Sequence, residues 1–176
     1  MQNKYHYSDL PNFWHFITDL VRAVSANHEL PSGLTLLLIL MLTVHGLFVL
    51  FLTVLFHRAV DKYLKPKSLF LSGVLYFIAI NLVFFSHFAD LLVWTYATLF
   101  VGAVEDPINA FYFVGEMYTT LGFGQFSVAP EWRILPIIIS IGGIFSASIS
   151  AAALYSMLNA LIGKFKYSPL ESGKGF

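Results

Sequence analysis

The 176-residue chain contains no cysteine and few charged residues. Without cysteine it can form no disulfide, no thiolate metal site and no thiol nucleophile. Charged residues make up 11% of the chain, whereas a typical soluble domain carries about 25%. The net charge is zero and no long basic run is present, so we expect no nucleic-acid partner. Since no nucleotide-binding loop, catalytic carboxylate pair or metal-ligand spacing is found either, we expect a non-enzyme without a cofactor.

Hydrophobic residues are abundant instead, at 57% of the chain, with 18 phenylalanines among them. The mean hydropathy is +0.73. Three stretches, 34–56, 68–104 and 134–162, reach the length of about 20 apolar residues that a membrane-crossing helix needs. The sequence therefore predicts an all-α integral protein of the lipid bilayer with three transmembrane helices.

The second stretch is too long for one perpendicular span and too short for two with a turn between them. We expect a helix to about residue 90 that continues, or bends, beyond that point. Aromatic residues of this stretch would form a collar at the outer side of the membrane, namely Trp94, Tyr96 and Phe100.

The charges that flank these stretches predict the orientation of the chain. Segment 57–68 holds four basic residues against one acidic residue, and segment 163–176 holds three against one. The first 33 residues carry a net charge of −1, and segment 101–133 carries −3. Because positively charged loops stay in the cytoplasm, we expect a multi-pass protein of the plasma or inner membrane. Its N-terminus would lie outside, and its short tail, 163–176, would be cytoplasmic.

The first 33 residues form an amphipathic segment ahead of the first span. One face of this segment is too polar to cross a membrane. A helix of this kind either lies in the outer interface with Trp14 at the headgroup level or packs against the extracellular part of a partner subunit. Apolar side chains recur in it at helical spacing, at Leu10, Phe13, Trp14, Ile17, Leu20, Val21 and Val24.

A short helix is predicted between the second and third stretches. Asp106 and Pro107 form a helix-start signal, with the aspartate at the N-cap and the proline at the first helical position. A helix over 107–119 would be about 20 Å long at about 1.5 Å per residue, which is too short to span the membrane. We therefore expect this segment to enter the membrane and leave on the same side. The non-helical backbone that follows, 120–124, must then be buried in protein or line a water-filled path.

The run NAFYFVGEMYTTLGFGQ, residues 109–125, resembles the pore helix and selectivity filter of the potassium channel family, whose filter reads T-x-G-[YF]-G after a threonine. The resemblance covers 68–162, in the order outer helix, pore helix, filter and inner helix. It implies a homotetramer in which four filter loops replace the water around a potassium ion with rings of oxygens. The two glycines permit this backbone because glycine accepts positive φ without strain. The implied potassium ligands are the hydroxyl of Thr120 and the carbonyls of Leu121, Gly122 and Phe123, with Gly124 closing the outer end.

The resemblance also implies residues that support the filter. Thr119 would anchor the filter to the pore helix. Family members usually carry Asp after the last filter glycine, where this chain has Gln125, and in some members a pore-helix glutamate hydrogen-bonds that Asp. Glu116 stands at the glutamate position and would brace Gln125 with one charge fewer. Tyr112 either joins this network or only packs.

The third stretch resembles an inner helix with a candidate bending point at Gly142 and Gly143. Small residues there either form a hinge or only let the helices approach closely. The first span, 34–60, has no counterpart in the minimal form of the family. No arginine ladder for voltage sensing and no ligand-binding domain is seen, so the sequence does not indicate the gating stimulus. Three hydroxyls of the third stretch either face a cavity or only pack, those of Ser146, Ser148 and Ser150.

Three other functions compete with a potassium channel. A non-selective cation channel usually lacks the aromatic residue between the filter glycines, whereas Phe123 is present here. A re-entrant loop in a transporter or accessory subunit is the second. A membrane redox protein with His45 and His87 as haem ligands is the third, because ionisable groups inside a membrane are functional candidates. We place His45 near mid-span and His87 and Asp90 towards the outer end of theirs, which argues against a shared haem. His87 and Asp90 are then expected to pair with each other or to face the outer water.

Overall fold

The computed structural model describes residues 14, 15, 18, 30–63, 69–124, 126 and 128–166. From residue 30 to residue 166 the described residues form four α-helices and no β-strand, which confirms the all-α class. The predicted amphipathic helix and the tail from residue 167 onward lie mainly outside the described residues. The helices are α1 (Leu30–Tyr63), α2 (Leu69–Phe100), α3 (Pro107–Tyr118) and α4 (Leu135–Lys166), and a 3₁₀ turn (Pro130–Trp132) precedes α4.

Three of these helices are long and apolar enough to cross a membrane, over Gly33–Tyr63, Phe70–Phe100 and Leu135–Gly163. At about 1.5 Å per residue each is roughly 45 Å long, which exceeds the hydrocarbon core of about 30 Å. Each helix therefore tilts or extends beyond the core. Many apolar side chains on α1 and α2 are exposed in the single chain, as expected of surfaces that meet lipid. The chain is an integral membrane protein with three spans.

Helix α2 is continuous from Leu69 to Phe100 and has no break at Asp90. Tyr96 and Phe100 are exposed, as an outer collar requires. The inclusion of Trp94 in that collar is wrong, because its side chain is only 1% exposed. Trp94 lies one helical turn after Asp90 and therefore on the same face of α2, which is turned toward the other helices.

Helix α1 packs mainly against α4, and α3 contacts both α2 and α4. One apolar cluster surrounds the end of α3 and includes Trp94 and Phe113. A second cluster joins α1, α2 and α4 further along and includes Met157. Two buried polar side chains lie between these two clusters, His45 on α1 and Ser150 on α4. Because α1 contributes to both clusters, the first span is part of the core around α3.

Candidate pore-loop site

Helix α3 begins at the predicted cap. The Asp106 carboxylate accepts a hydrogen bond from the backbone N–H of Asn109 at 2.8 Å, and Pro107 stands at the start of the helix. The cap satisfies one of the backbone donors left unpaired at a helix start, and proline has no N–H to leave unpaired. The helix ends at Tyr118, because Thr119 is already its C-cap. With 12 residues, α3 is about 18 Å long at about 1.5 Å per residue, which confirms the predicted helix too short to span.

The backbone after α3 is folded onto the last turn of the helix. The N–H and the hydroxyl of Thr119 both donate to the Gly115 carbonyl, at 3.0 Å and 2.6 Å. The N–H of Thr120 donates to the Met117 carbonyl at 3.0 Å. This geometry agrees with an anchoring role for Thr119, which stays a prediction.

Left-handed backbone recurs at every second residue of the filter loop, residues 120–124. The φ angle is +60° at Thr120, +55° at Gly122 and +72° at Gly124. Glycine adopts such angles without strain, whereas a β-branched residue rarely does. Outliers of this kind persist where the surrounding structure requires them, and they cluster at functional sites. The glycine positions are predictable from residue type, but the positive φ of Thr120 is not.

Helix α4 packs against the carbonyl end of α3. The Ser140 hydroxyl donates to the Met117 carbonyl at 2.8 Å. One turn further along α4, a Cβ on Gly143 would collide with the backbone carbonyl of Tyr118. The two contacts hold the carbonyl end of α3 directly against α4.

The glycine pair of α4 lies in an unbroken helix from Leu135 to Lys166. Gly142 faces α1 and α2, since a Cβ there would lie 3.1 Å from the Leu38 Cδ1 and 3.5 Å from the Trp94 Nε1. Both glycines therefore permit close helix contacts, which is the packing alternative. A hinge at the pair stays a prediction.

Glu116, the predicted brace, has one buried carboxylate oxygen, Oε2, with no hydrogen-bond partner among the described residues. Its predicted partner Gln125 lies outside the described residues. The backbone carbonyl of Glu116 accepts from the Gly122 N–H at 3.3 Å. Tyr112 is 58% exposed in the single chain. The brace and the part of Tyr112 in it stay predictions.

Large apolar side chains on α3 and the filter loop point away from the single chain. Those of Ile108, Tyr112, Leu121 and Phe123 are each more than half exposed. A cavity of about 450 Å³ opens between α2, the end of α3 and α4. Its walls include Phe84, His87, Tyr118, Thr119, Thr120 and Gly143.

A buried polar cluster lies where α1, α2 and α4 meet the end of α3, and it departs most from the sequence-based expectations. The Asp90 Oδ2 lies 2.8 Å from the His45 Nδ1 and accepts a hydrogen bond from the Tyr118 hydroxyl at 2.8 Å. The other ring nitrogen of His45, Nε2, lies 3.0 Å from the Ser150 hydroxyl. His45 is thus at the depth of Asp90, and the expected pairing of Asp90 with His87 or with the outer water is wrong. The prediction places Asp90 at the outer end of its span, whereas α2 continues ten residues beyond it to Phe100.

His87 completes this polar cluster. Its ring centroid lies 4.8 Å from that of His45, and its Nδ1 lies 3.0 Å from the Tyr118 hydroxyl. The two imidazoles share one depth, contrary to the prediction, but they are too close for a porphyrin to fit between them. The spacing of His87 and Asp90 signals a shared face of α2. Nothing in the sequence signals that His45 and Tyr118 join them.

Residues 68–160 match the model of the protein family described as Ion channel. The match begins just before α2, includes α3 and the filter loop, and ends within α4. It covers more than half of the chain, and α1 lies before it. No curated protein and no solved structure matches the chain.

Proposed function

Since this chain belongs to the ion channel family, with a pore domain of the potassium channel type at 68–160, we propose that it conducts potassium ions selectively and passively across a membrane. One observation carries the proposal. The backbone is left-handed at Thr120, Gly122 and Gly124 in alternation, directly after a capped helix that is too short to span. A simple turn between two helices needs no such alternation.

The alternation is what a filter of backbone oxygens requires. Among the described residues, Leu121 and Phe123 do not share the positive φ of their neighbours. When the two backbone conformations alternate, successive carbonyls point to one side, and the larger side chains project to the other. Carbonyls of residues 120–123 then line one axis, with the Thr120 hydroxyl at the inner end. Rings of such oxygens replace the hydration shell of a potassium ion, which is the cargo of the protein and not a cofactor.

One loop per chain cannot enclose an ion, so the proposed pore is a homotetramer with four-fold rotational symmetry. The outward-facing side chains on α3 and the filter loop are the surface that neighbouring chains would cover, those of Ile108, Tyr112, Leu121 and Phe123. In a mild detergent we expect a protein mass of four times the chain mass of 19.8 kDa, after correction for bound detergent. A monomer or dimer that still conducts potassium would contradict this assembly.

Reversal potentials of the purified protein in planar bilayers, under a potassium/sodium gradient, test the function. A potassium-selective pore reverses near the potassium equilibrium potential. A non-selective cation pore reverses near zero when the total cation concentration is equal on both sides, and that result would replace the proposal with the alternative function. External barium is expected to block the current, because it is a divalent ion close to potassium in size.

A further inference from the structure

Three metal-ligating side chains meet in the buried polar cluster at the end of α3. One ring nitrogen from each of His45 and His87 and one carboxylate oxygen of Asp90 all lie within 4.8 Å of one another. They come from α1 and α2, and Tyr118 at the end of α3 borders them. We propose that this cluster binds a divalent transition-metal ion, with zinc as the model ion. The proposal does not depend on which ion the pore conducts.

The donor set suits this class of metal. Imidazole together with carboxylate is typical of zinc and other late first-row ions, whereas magnesium and calcium prefer oxygen ligands alone. Metal–donor bonds of about 2.0–2.2 Å place two donors of one ion about 3–3.5 Å apart. The His45 Nδ1 and the Asp90 Oδ2 are 2.8 Å apart, so they need to separate by less than about 1 Å on binding.

The Nδ1 of His45 is an independent sign of a ligand. The side chain of His45 is 0% exposed, and among the described residues this nitrogen makes no hydrogen bond, although the Asp90 carboxylate lies beside it. Buried polar atoms are almost always hydrogen-bonded, so each exception needs an explanation. A bond from Nδ1 to a metal ion supplies one.

The outer partners of a metal site are also in place. Metal-bound histidines usually donate their second ring N–H to an oxygen, which fixes the tautomer, and bound carboxylates are themselves hydrogen-bonded. The Ser150 hydroxyl, 3.0 Å from the His45 Nε2, can accept that N–H and leaves the lone pair on Nδ1. The Tyr118 hydroxyl donates to Asp90 at 2.8 Å.

The cluster needs positive charge and has an opening. Asp90 places a carboxylate within a membrane span, and no lysine or arginine among the described residues pairs with it. Burying a carboxylate is costly unless its charge is compensated, and a divalent ion would compensate it. His87 also lines the cavity between α2 and α4, so an ion can approach from that side. A bound ion would join the first span to Tyr118, two residues before Thr120.

Cobalt titration of the detergent-purified chain tests the proposal. Cobalt is a spectroscopic substitute for zinc, and its visible absorption changes with the number and geometry of its ligands. The chain should carry a histidine-free tag, with His6, His15, His28 and His57 replaced by Gln, so that His45 and His87 remain as its two histidines. We expect one cobalt ion per chain, displaced by one equivalent of zinc. His45→Gln and Asp90→Asn should each abolish the absorption band.

A pair of serine variants tests the site without removing a ligand. Ser150→Ala removes the partner of the His45 Nε2 and should weaken cobalt binding by about 10- to 100-fold, as loss of an outer partner does. Ser148→Ala is the matched control, since its exposed hydroxyl donates to the Ile144 carbonyl of its own helix, and should bind as the parent does. The two serine variants also test the proposal if His45→Gln fails to fold. No cobalt binding by the parent, or equal affinities of the two serine variants, would overturn the proposal.

Discussion

The backbone carbonyl of Tyr118 lies so close to Gly143 that a side chain on residue 143 would collide with it. Tyr118 is the last residue of α3, and Gly143 lies in α4. The same tyrosine donates its hydroxyl to Asp90 of α2. Its position, two residues before Thr120 of the filter loop, is therefore set from two sides.

Gly143→Ala should destabilise the protein by about 1–3 kcal/mol, the range for overpacking a filled interior. We expect the upper end, because the obstacle is backbone and not a flexible side chain. Unfolding of the purified protein in a denaturing-detergent titration measures the change. Gly163→Ala is the matched control on the same helix, because its added Cβ would meet no described atom within 4 Å outside the neighbouring backbone of its own helix. It should be neutral or stabilising by up to about 1 kcal/mol, because alanine favours helix over glycine. Equal losses for both variants would contradict the contact.

Gly122→Ala should abolish or degrade potassium selectivity while the protein still inserts. The φ of Gly122 is +55°, where an L-residue with a Cβ costs roughly 1–2 kcal/mol, and the apolar spans are unchanged. Reversal potentials under a potassium/sodium gradient measure the effect. Gly115→Ala is the control and should stay selective, because its added Cβ in the interior of α3 would meet no described atom within 4 Å outside the neighbouring backbone of that helix. Unchanged selectivity in Gly122→Ala would mean that ions pass elsewhere.

Thr120→Ala should weaken external barium block and change selectivity less than Gly122→Ala does. It removes one layer of hydroxyls and leaves the carbonyls in place. Thr120→Ser keeps the hydroxyl and should retain the block. Barium dose–response curves on bilayer currents distinguish them. If the serine and alanine variants are blocked alike, the hydroxyl is not an ion ligand.

Asp106→Ala should remove the N-cap of α3 at a cost of about 0.5–2 kcal/mol. Asp106→Asn retains an oxygen that can accept the Asn109 N–H and should lie close to the parent protein. Thermal unfolding of both variants, followed by circular dichroism, gives the comparison. A loss of the same size in both would assign the effect to the negative charge and not to the cap.

Single cysteines introduced into this cysteine-free chain should report its orientation. Cysteines at Gln2 and Glu131 are expected to react with an impermeant reagent added outside intact cells, because the acidic segments are predicted to lie outside. Cysteines at Lys65 and Lys174 should react only after the cells are permeabilised, which also controls for their reactivity. Labelling of position 65 in intact cells would refute the arrangement.

The features that the sequence predicts correctly depend on neighbouring residues. The spans follow from apolar length, and the start of α3 follows from Asp106 and Pro107, whose capping chemistry acts within one turn. The positive φ of Gly122 and Gly124 follows from the only residue type that adopts it readily.

The features that the sequence does not predict depend on how the helices sit against each other. His45 and Asp90 are 45 residues apart in the sequence and meet because of the register of α1 against α2. Trp94 is buried for the same reason, although its residue type is also typical of a membrane interface. The positive φ of Thr120 arises two residues before the first filter glycine and against the preference of threonine.

The contact between His45 and Asp90 also bears on how the family-matched part of this protein would enter a bilayer alone. The family match starts at residue 68, and a chain cut there would keep the Tyr118 hydroxyl on Asp90 but lose the His45 ring beside this carboxylate. A lone aspartate at the centre of a membrane helix costs roughly 2.5–3.5 kcal/mol to insert, which is an upper limit for the effect of this loss. We therefore expect a chain cut at residue 68 to insert less efficiently than the full chain. During synthesis α1 leaves the ribosome before α2, so the imidazole of His45 precedes the acid that it contacts.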